Sequence, residues 1–485
     1  MQPEELLIRA KSLANTELLR DGFVPSPEQA RRLLNDSDAL STEMDRLTQE
    51  ITRLVALQGR ISRQLEITRS TLAPIRRLPA EILSDIFVHV VKRTWSYNHP
   101  HLITSTLALV CCRWRDIALN TPRLWSHIQA RLNHSNRFVI RIINQAVKQA
   151  SLSSNTSLVL TVEDASYVNE PSFFSQLLAQ LRPHSARFHA IDYFGLCSSF
   201  PKEHKFAFPG LQTFSMTSPV PYPSASLAFL STASALTCLS LTFDTRAGGD
   251  PLDQLEIPTF PMLENLRFIA HQGSNLTLAP LLKAHRDTLL GLIVNVTLLD
   301  LHAPSAVVNM ASLRSVDLLD NAHHVLRFIT APALQIIRIS NIWKAASDPF
   351  PSLLASSSIS SINSLVLERL DLSSSLSFWD CLEQLYDLRK LQIIQPWWKP
   401  ECKLLCEGTI IRLTLKEGRA PVLRHLATLS LTFGEHTLPS STKEIKGVIR
   451  SMLASRKDAR LCASLGVDLL QNFNTDIDYA ASPDA

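Results

Sequence analysis

A short element, Leu-x-x-Leu-x-Leu with small lapses, returns again and again from Ser157 onward, and nothing else in the chain restricts the fold so tightly. It occurs as LQTFSM (211–216), LTCLSL (236–241), LENLRF (263–268), LRSVDL (313–318), LQIIRI (334–339) and LRKLQI (388–393). Two variants, LVLERLDL (365–372) and LRHLATLSL (423–431), belong to the same series. Four copies open with Pro-x-Leu, at Pro209, Pro261, Pro332 and Pro421; the first two lie 52 residues apart and the next interval is 71. Those intervals are close to two and three units of about 25 residues. Each unit predicts a short strand with one apolar side, which cannot bury that side alone and must stack on its neighbours.

A period of this length is that of leucine-rich repeats, so residues 157–440 are expected to form an irregular α/β solenoid. The asparagine that usually marks the turn is mostly missing, so a regular asparagine ladder is not expected. The alternative is a β-rich domain with leucine-rich strands and no solenoid. Side chains between the apolar positions point away from the core, since a strand alternates its faces. Ser215, Ser240, Arg267, Asp317, Arg338, Asp371 and Gln392 occupy such positions and are the candidates for holding a target protein. Taken singly, each reads equally as a solvated surface residue. Their mixed charges name no class of peptide.

Composition narrows the class. The 485 residues are 45% hydrophobic and 19% charged, which excludes a largely disordered chain and calls for two or three structural units. Only 13 glycines are present, so phosphate-cradling loops, which need close backbone approach, are not expected. A net charge of +4 is too mild for a nucleic-acid footprint. The eight cysteines form no CxxC pairs; Cys402 and Cys406 lie one helical turn apart, but no second pair answers them, and no metal or cofactor is expected. Scattered thiols, no secretory signal in MQPEELLIRAKSLANTELLRDG and no run of 18 apolar residues point to an intracellular chain, cytoplasmic or nuclear, without a membrane span.

The N-terminal region carries a heptad. Leu40, Leu47, Leu54 and Ile61 repeat every seven residues with Thr68 continuing the series, and Met44, Ile51, Leu65 and Leu72 fall four residues after its members. Alternating 4-3 spacing keeps one narrow apolar seam, a coiled-coil signal, with Gln58 as its polar interruption. A helix is expected over 33–73, ended by Pro74, after a helical or flexible segment 1–32. Self-association through residues 33–72 is one reading; folding back on the same chain or packing on a partner are the others.

Residues 74–132 read as three short helices. Apolar residues at 78, 82, 83, 86, 87, 90 and 91 follow helical spacing behind Pro79, the stretch LITSTLALVCCRWRDIALN is helical again, and Thr121-Pro122 breaks the chain before Leu124-Trp125. So small a core packs on something larger. The run LPAEILSDIF (78–87), then LALVCCRWRDIA (107–118), then TPRLW (121–125), resembles an F-box, whose pattern is Leu-Pro, an Ile-Leu pair two residues on, Val-Cys-x-x-Trp and a closing Leu-Trp. Only the gap between the first two helices departs, being longer than the minimal motif. The heptad helix running into APIRRLPAEIL is also similar to F-box proteins abundant in mushroom-forming fungi. The resemblance implies docking on a Skp-family adaptor, and through it a cullin–RING scaffold. Carried over position by position, the adaptor contacts are Leu78, Pro79, Ile82, Leu83, Ile86, Val110, Cys111 and Trp114, with Trp125 propping the small core from inside.

No GxSxG, Walker, HExxH or GxGxxG motif occurs. His285-Arg286-Asp287 resembles a kinase triplet, but the asparagine required five residues on is Leu292. The expectation is therefore an α+β multi-domain chain without catalytic residues. Its parts are a long coiled-coil-like helix, a three-helix F-box, a linker helix in 133–156, the repeat array, and a capping helix with a polar tail in 441–485. The resemblance implies a substrate-recognition subunit of a ubiquitin ligase. A repeat scaffold acting outside a ligase, oligomerised by the coiled coil, is the alternative.

Overall fold

The computed structural model describes residues 2–94, 106–132, 138–164, 173–196, 200, 206–219, 225–243, 251–252, 255–300, 307–342, 349–354, 361–370, 376–395, 404–433 and 442–477. The chain divides into two compact units, Met1–Ile86 and Phe87–Ala485.

The first unit is helical. Helices α1 (Pro3–Leu13) and α2 (Thr16–Arg20) precede α3, which runs from Pro27 to Leu72 and so begins six residues before the heptad predicts. The earlier start has a local cause. Ser26 and Gln29 form a reciprocal capping box, at 3.3 and 2.9 Å, and Pro27 occupies the first turn where its missing N–H costs nothing. Helix α1 packs on the start of α3, where Leu6 is buried and Arg9 pairs with the buried Asp36. Pro74 ends α3, and a 3₁₀ turn, Pro74–Arg77, leads to Leu78 and then to α4 (Ala80–Thr94).

Among the described residues the second unit is built on one sheet of thirteen parallel strands that follow one another in chain order. They are β1 (His127–Leu132), β2 (Leu158–Asp164), β3 (Phe188–Phe194), β4 (Thr213–Ser218), β5 (Cys238–Phe243), β6 (Asn265–Ser274) and β7 (Gly291–Asp300). The series continues with β8 (Ser315–Asp320), β9 (Ile336–Ser340), β10 (Ser364–Glu368), β11 (Lys390–Ile394), β12 (Thr428–Thr432) and β13 (Asn472–Thr475). Eight of them are the strands of the Leu-x-x-Leu-x-Leu copies. The others use the same positions with different residues. Trp125-x-x-Ile128-x-Ala130, Phe188-x-x-Ile191-x-Tyr193 and Leu289-x-x-Leu292-x-Val294 are all buried. The sheet therefore starts within residues assigned above to the three-helix segment, at His127, because Ile128, Ala130 and Leu132 alternate with half-buried neighbours and pair with β2.

Along each strand the inner side chains join one continuous apolar core, roofed by helices and turns between the strands such as Phe173–Leu181 and Leu376–Gln384. Burying both the strand face and the helix stripe is the only way such repeats can satisfy their apolar surface. The helix Val139–Leu152 packs on β1 through Ile143, Ala146 and Ala150. At the C-terminal end the expected single helix is two, Thr442–Lys457 and Ala459–Leu465, because Asp458 caps a new helix through the backbone amides of Arg460 and Leu461. The buried guanidinium of Arg456 donates to the carbonyls of Leu413 (2.7 Å), Val422 (2.7 Å) and Leu423 (3.2 Å), tying that end to the sheet's connections. No helix among the described residues is long and apolar enough to cross a membrane.

Candidate docking site

Helix α4 shows two adjacent apolar stripes. Residues 83, 87 and 91 face inward: Leu83 is fully buried, as are Phe87 and Val91. Residues 82, 86 and 90 face out: Ile82 is 47% exposed, Ile86 37% and Val90 40%. Side chains four apart share one face of a helix, so the outer three form a ridge of branched aliphatic residues open to solvent. Leu78 is half-buried and Pro79 exposed just ahead of the first turn, where the Pro79 carbonyl accepts from the Leu83 amide. Of the residues expected as adaptor contacts on this helix, Leu83 is thus buried while Ile82 and Ile86 are exposed.

In the second unit, residues 106–110 are helical and α5 spans Cys112–Leu119. Cys111 is the cap between them: its sulfur accepts from the Trp114 amide at 3.5 Å, the position a serine or threonine hydroxyl usually fills. Trp114 is half-buried, its ring 4.8 Å from that of Phe87. Val110 is exposed, and Leu109 beside it more so. Trp125 is buried and its indole N–H donates to the Ala118 carbonyl at 2.8 Å, which ties the following 3₁₀ turn to α5. Val90 and Leu109 escape the family pattern; the four-residue step from Ile82 through Ile86 is the signal that finds Val90.

The outer face of the sheet holds the second set. Register places Ser215 beside Ser240, Ser240 beside Arg267, and Asp317 beside Arg338, with Ile293 between Arg267 and Asp317 and Val366 between Arg338 and Gln392. Arg267, Asp317, Arg338 and Gln392 therefore share one cross-strand row. Asp371, the remaining strand candidate, is not among the described residues. Strand β10 ends at Glu368, and Arg369 turns away with φ +54°. The Asp317 Oδ1 atom is buried with no hydrogen-bond partner among the described residues, and burial raises its carboxyl above the ordinary range, with Arg338 opposing that shift.

The same row continues through Asp192 and Thr161 to Gln129, which sequence reasoning did not single out because β1 and β3 lack the leucine pattern. Here an open cleft of about 370 Å³ is lined by Thr161, Glu163, Asp192, Phe194, Ser215 and Thr217 among others. Glu163 pairs with Arg131 at 2.7 Å, burial raises the Asp192 carboxyl, and Phe194 stands exposed. This combination fits a chain segment with one apolar and one hydrogen-bond-donating group.

His285 of the kinase-like triplet is buried. Its Nε2 accepts from the Phe260 amide at 3.1 Å, which leaves the proton on Nδ1, 3.0 Å from the Leu281 carbonyl. It braces a turn. Among the described residues no group of three or more His, Cys, Asp or Glu could hold a metal ion.

Residues 75–131 match the F-box-like family model, so the chain carries an F-box-like domain there. No curated protein matches the chain at a significant level.

Proposed function

We propose that this chain is the substrate-recognition subunit of a Skp–cullin–F-box ubiquitin ligase, non-catalytic in itself. The observation that carries the reading is the solvent-facing ridge Ile82–Ile86–Val90 within a segment that matches the F-box-like family. Branched aliphatic side chains left 37–47% exposed along one helix face are the kind of surface another helical protein covers. Leu78, Pro79, Val110, Cys111 and Trp114 complete the proposed adaptor contacts, with Val90 and Leu109 added. Phe87 and Trp125 hold the helices of the second unit from inside.

The thirteen parallel strands are read as an irregular leucine-rich-repeat solenoid, with the row of Arg267, Asp317, Arg338 and Gln392 as part of the target-binding face. Rigid strands hold such side chains at fixed spacing, about 4.8 Å from strand to strand. Within that row Arg267 and Arg338 supply donors and Asp317, half-buried beside Arg338, an acceptor. Catalysis would then be proximity: the ligase carries the activated ubiquitin, and this chain raises the effective concentration of the target beside it.

A second reading, a repeat scaffold working outside a ligase, is favoured by the uncovered heptad seam of α3. Affinity purification of the full chain under proteasome inhibition separates the two. Recovery of both a Skp-family adaptor and a cullin supports the ligase; adaptor without cullin favours the scaffold; neither overturns both uses of the ridge.

A further inference from the structure

Helix α1 covers α3 only near its start. From Met44 to Leu72 the heptad side chains stand in solvent: Met44, Leu47, Ile51, Leu54, Ile61, Leu65 and Leu72 are all exposed. We infer that this seam is closed by the α3 of a second copy of the chain, running antiparallel, with the two-fold axis at the height of Ala56.

Three features of the sequence choose this occupant and direction. The first is the seam itself. Centred on Ala56, an antiparallel copy sets Leu40 opposite Leu72, Leu47 opposite Leu65 and Ile51 opposite Ile61, and puts the polar Gln58 against Leu54 at the middle. Each layer combines one member of either heptad series, as antiparallel knobs-into-holes packing needs.

The second is the flanking positions. Along the seam these are polar, Ser41, Thr48, Ser62 and Arg69 on one side and Glu43, Glu50, Gln64 and Thr71 on the other. The exceptions are Val55, 61% exposed, and Leu57, 37% exposed, one on each side of the centre. An antiparallel two-fold sets Val55 beside the second copy's Val55 and Leu57 beside its Leu57. A parallel pair would instead set Val55 against Glu50 and Leu57 against Ser62, leaving both apolar groups against polar ones.

The third is charge. Residues 40–55 carry three acidic side chains (Glu43, Asp45, Glu50) against two basic (Arg46, Arg53), a net −1. Residues 57–72 carry three basic (Arg60, Arg63, Arg69) against one acidic (Glu66), a net +2. Antiparallel pairing lays opposite halves together and parallel pairing lays like halves together. With a rise of 1.5 Å per residue, the two Leu72 ends would stand about 48 Å apart, so each copy presents its Leu78–Ile86 segment at an opposite end of the paired helices.

The test uses the full chain and needs no adaptor, so it stands apart from the ligase reading. Light scattering of the parent should give twice the chain mass of 54.1 kDa. Val55→Glu and Val55→Lys alone should each weaken the dimer by at least about tenfold, because like charges meet at the axis, and an equimolar mixture should restore it. Far-UV circular dichroism verifies that the helix persists in each variant. A monomeric parent, single variants that both remain dimeric, or a mixture that stays dissociated overturns the inference. A Val55→Lys chain that dimerises while Val55→Glu does not reveals the parallel pairing and overturns it too.

Discussion

Exchanging one stripe of α4 for the other should separate folding from docking. Leu83 is fully buried, so Leu83→Ala opens a cavity and should cost about 2–5 kcal/mol of stability. The triple variant Ile82→Ala, Ile86→Ala, Val90→Ala removes side chains already 37–47% exposed, and surface changes of this kind move stability by about 0.5 kcal/mol each. Its effect should appear in binding. Fully burying such a side chain is worth about 1.5–3 kcal/mol, and only the exposed fraction remains to be gained on docking. The three together then contribute about 2–4 kcal/mol, which is a loss of roughly 30-fold to several hundred-fold in adaptor affinity. Urea unfolding measures the first quantity and calorimetric titration with a recombinant Skp-family adaptor the second. A triple variant that binds within about threefold of the parent, or a Leu83→Ala chain of unchanged stability, would refute the assignment of the two faces.

Two other expectations follow from buried charge. Arg456→Met keeps most of the side-chain volume but strips three carbonyls of their donor, and should cost about 3 kcal/mol in urea unfolding; a loss under about 1 kcal/mol would show that water replaces the guanidinium. Burial pushes the Arg456 guanidinium down to about 10, so Arg456→Lys, which cannot reach all three carbonyls, should not rescue. His323 is fully buried, its ring 4.1 Å from that of His324, and burial followed by that neighbour lowers it to about 4. The unfolded chain takes up the proton first, so stability present above about pH 6.5 should fall towards pH 4 by up to about 3 kcal/mol. His323→Leu should flatten that slope in acid titrations followed by circular dichroism, and an unchanged slope would remove His323 as its source.

The strands that open with leucine and keep large apolar residues three and five positions on were legible because period and spacing repeat together. Strands β1, β3 and β7 were not, since Ala130, Tyr193 and Val294 stand where the pattern has its last leucine while filling the same core, and Trp125 and Phe188 where it has its first. The long helix was legible from the heptad, but its start was set by the Ser26–Gln29 cap, which lies outside the seam. The docking segment could be located from its anchors, yet not oriented. Apolar residues at 82, 83, 86, 87, 90 and 91 make two stripes one position apart, and a sequence alone cannot say which is inside. Packing decides: the buried Phe87 meets the half-buried Trp114, and the ridge beginning at Ile82 is left in solvent. Arg267, Asp317, Arg338 and Gln392 fall on one cross-strand row, as the alternation of a strand's faces implies, while Asp371 follows the strand's end at Glu368 and lies outside the described residues.

Hydrogen exchange of the full chain, followed by mass spectrometry with and without a saturating Skp-family adaptor, tests where such a partner lands. Added protection confined to residues 78–91 and 109–115, with the strands from His127 to Thr475 unchanged, is the predicted result. Protection that falls on the sheet instead, or none at all while α4 remains folded, would contradict it.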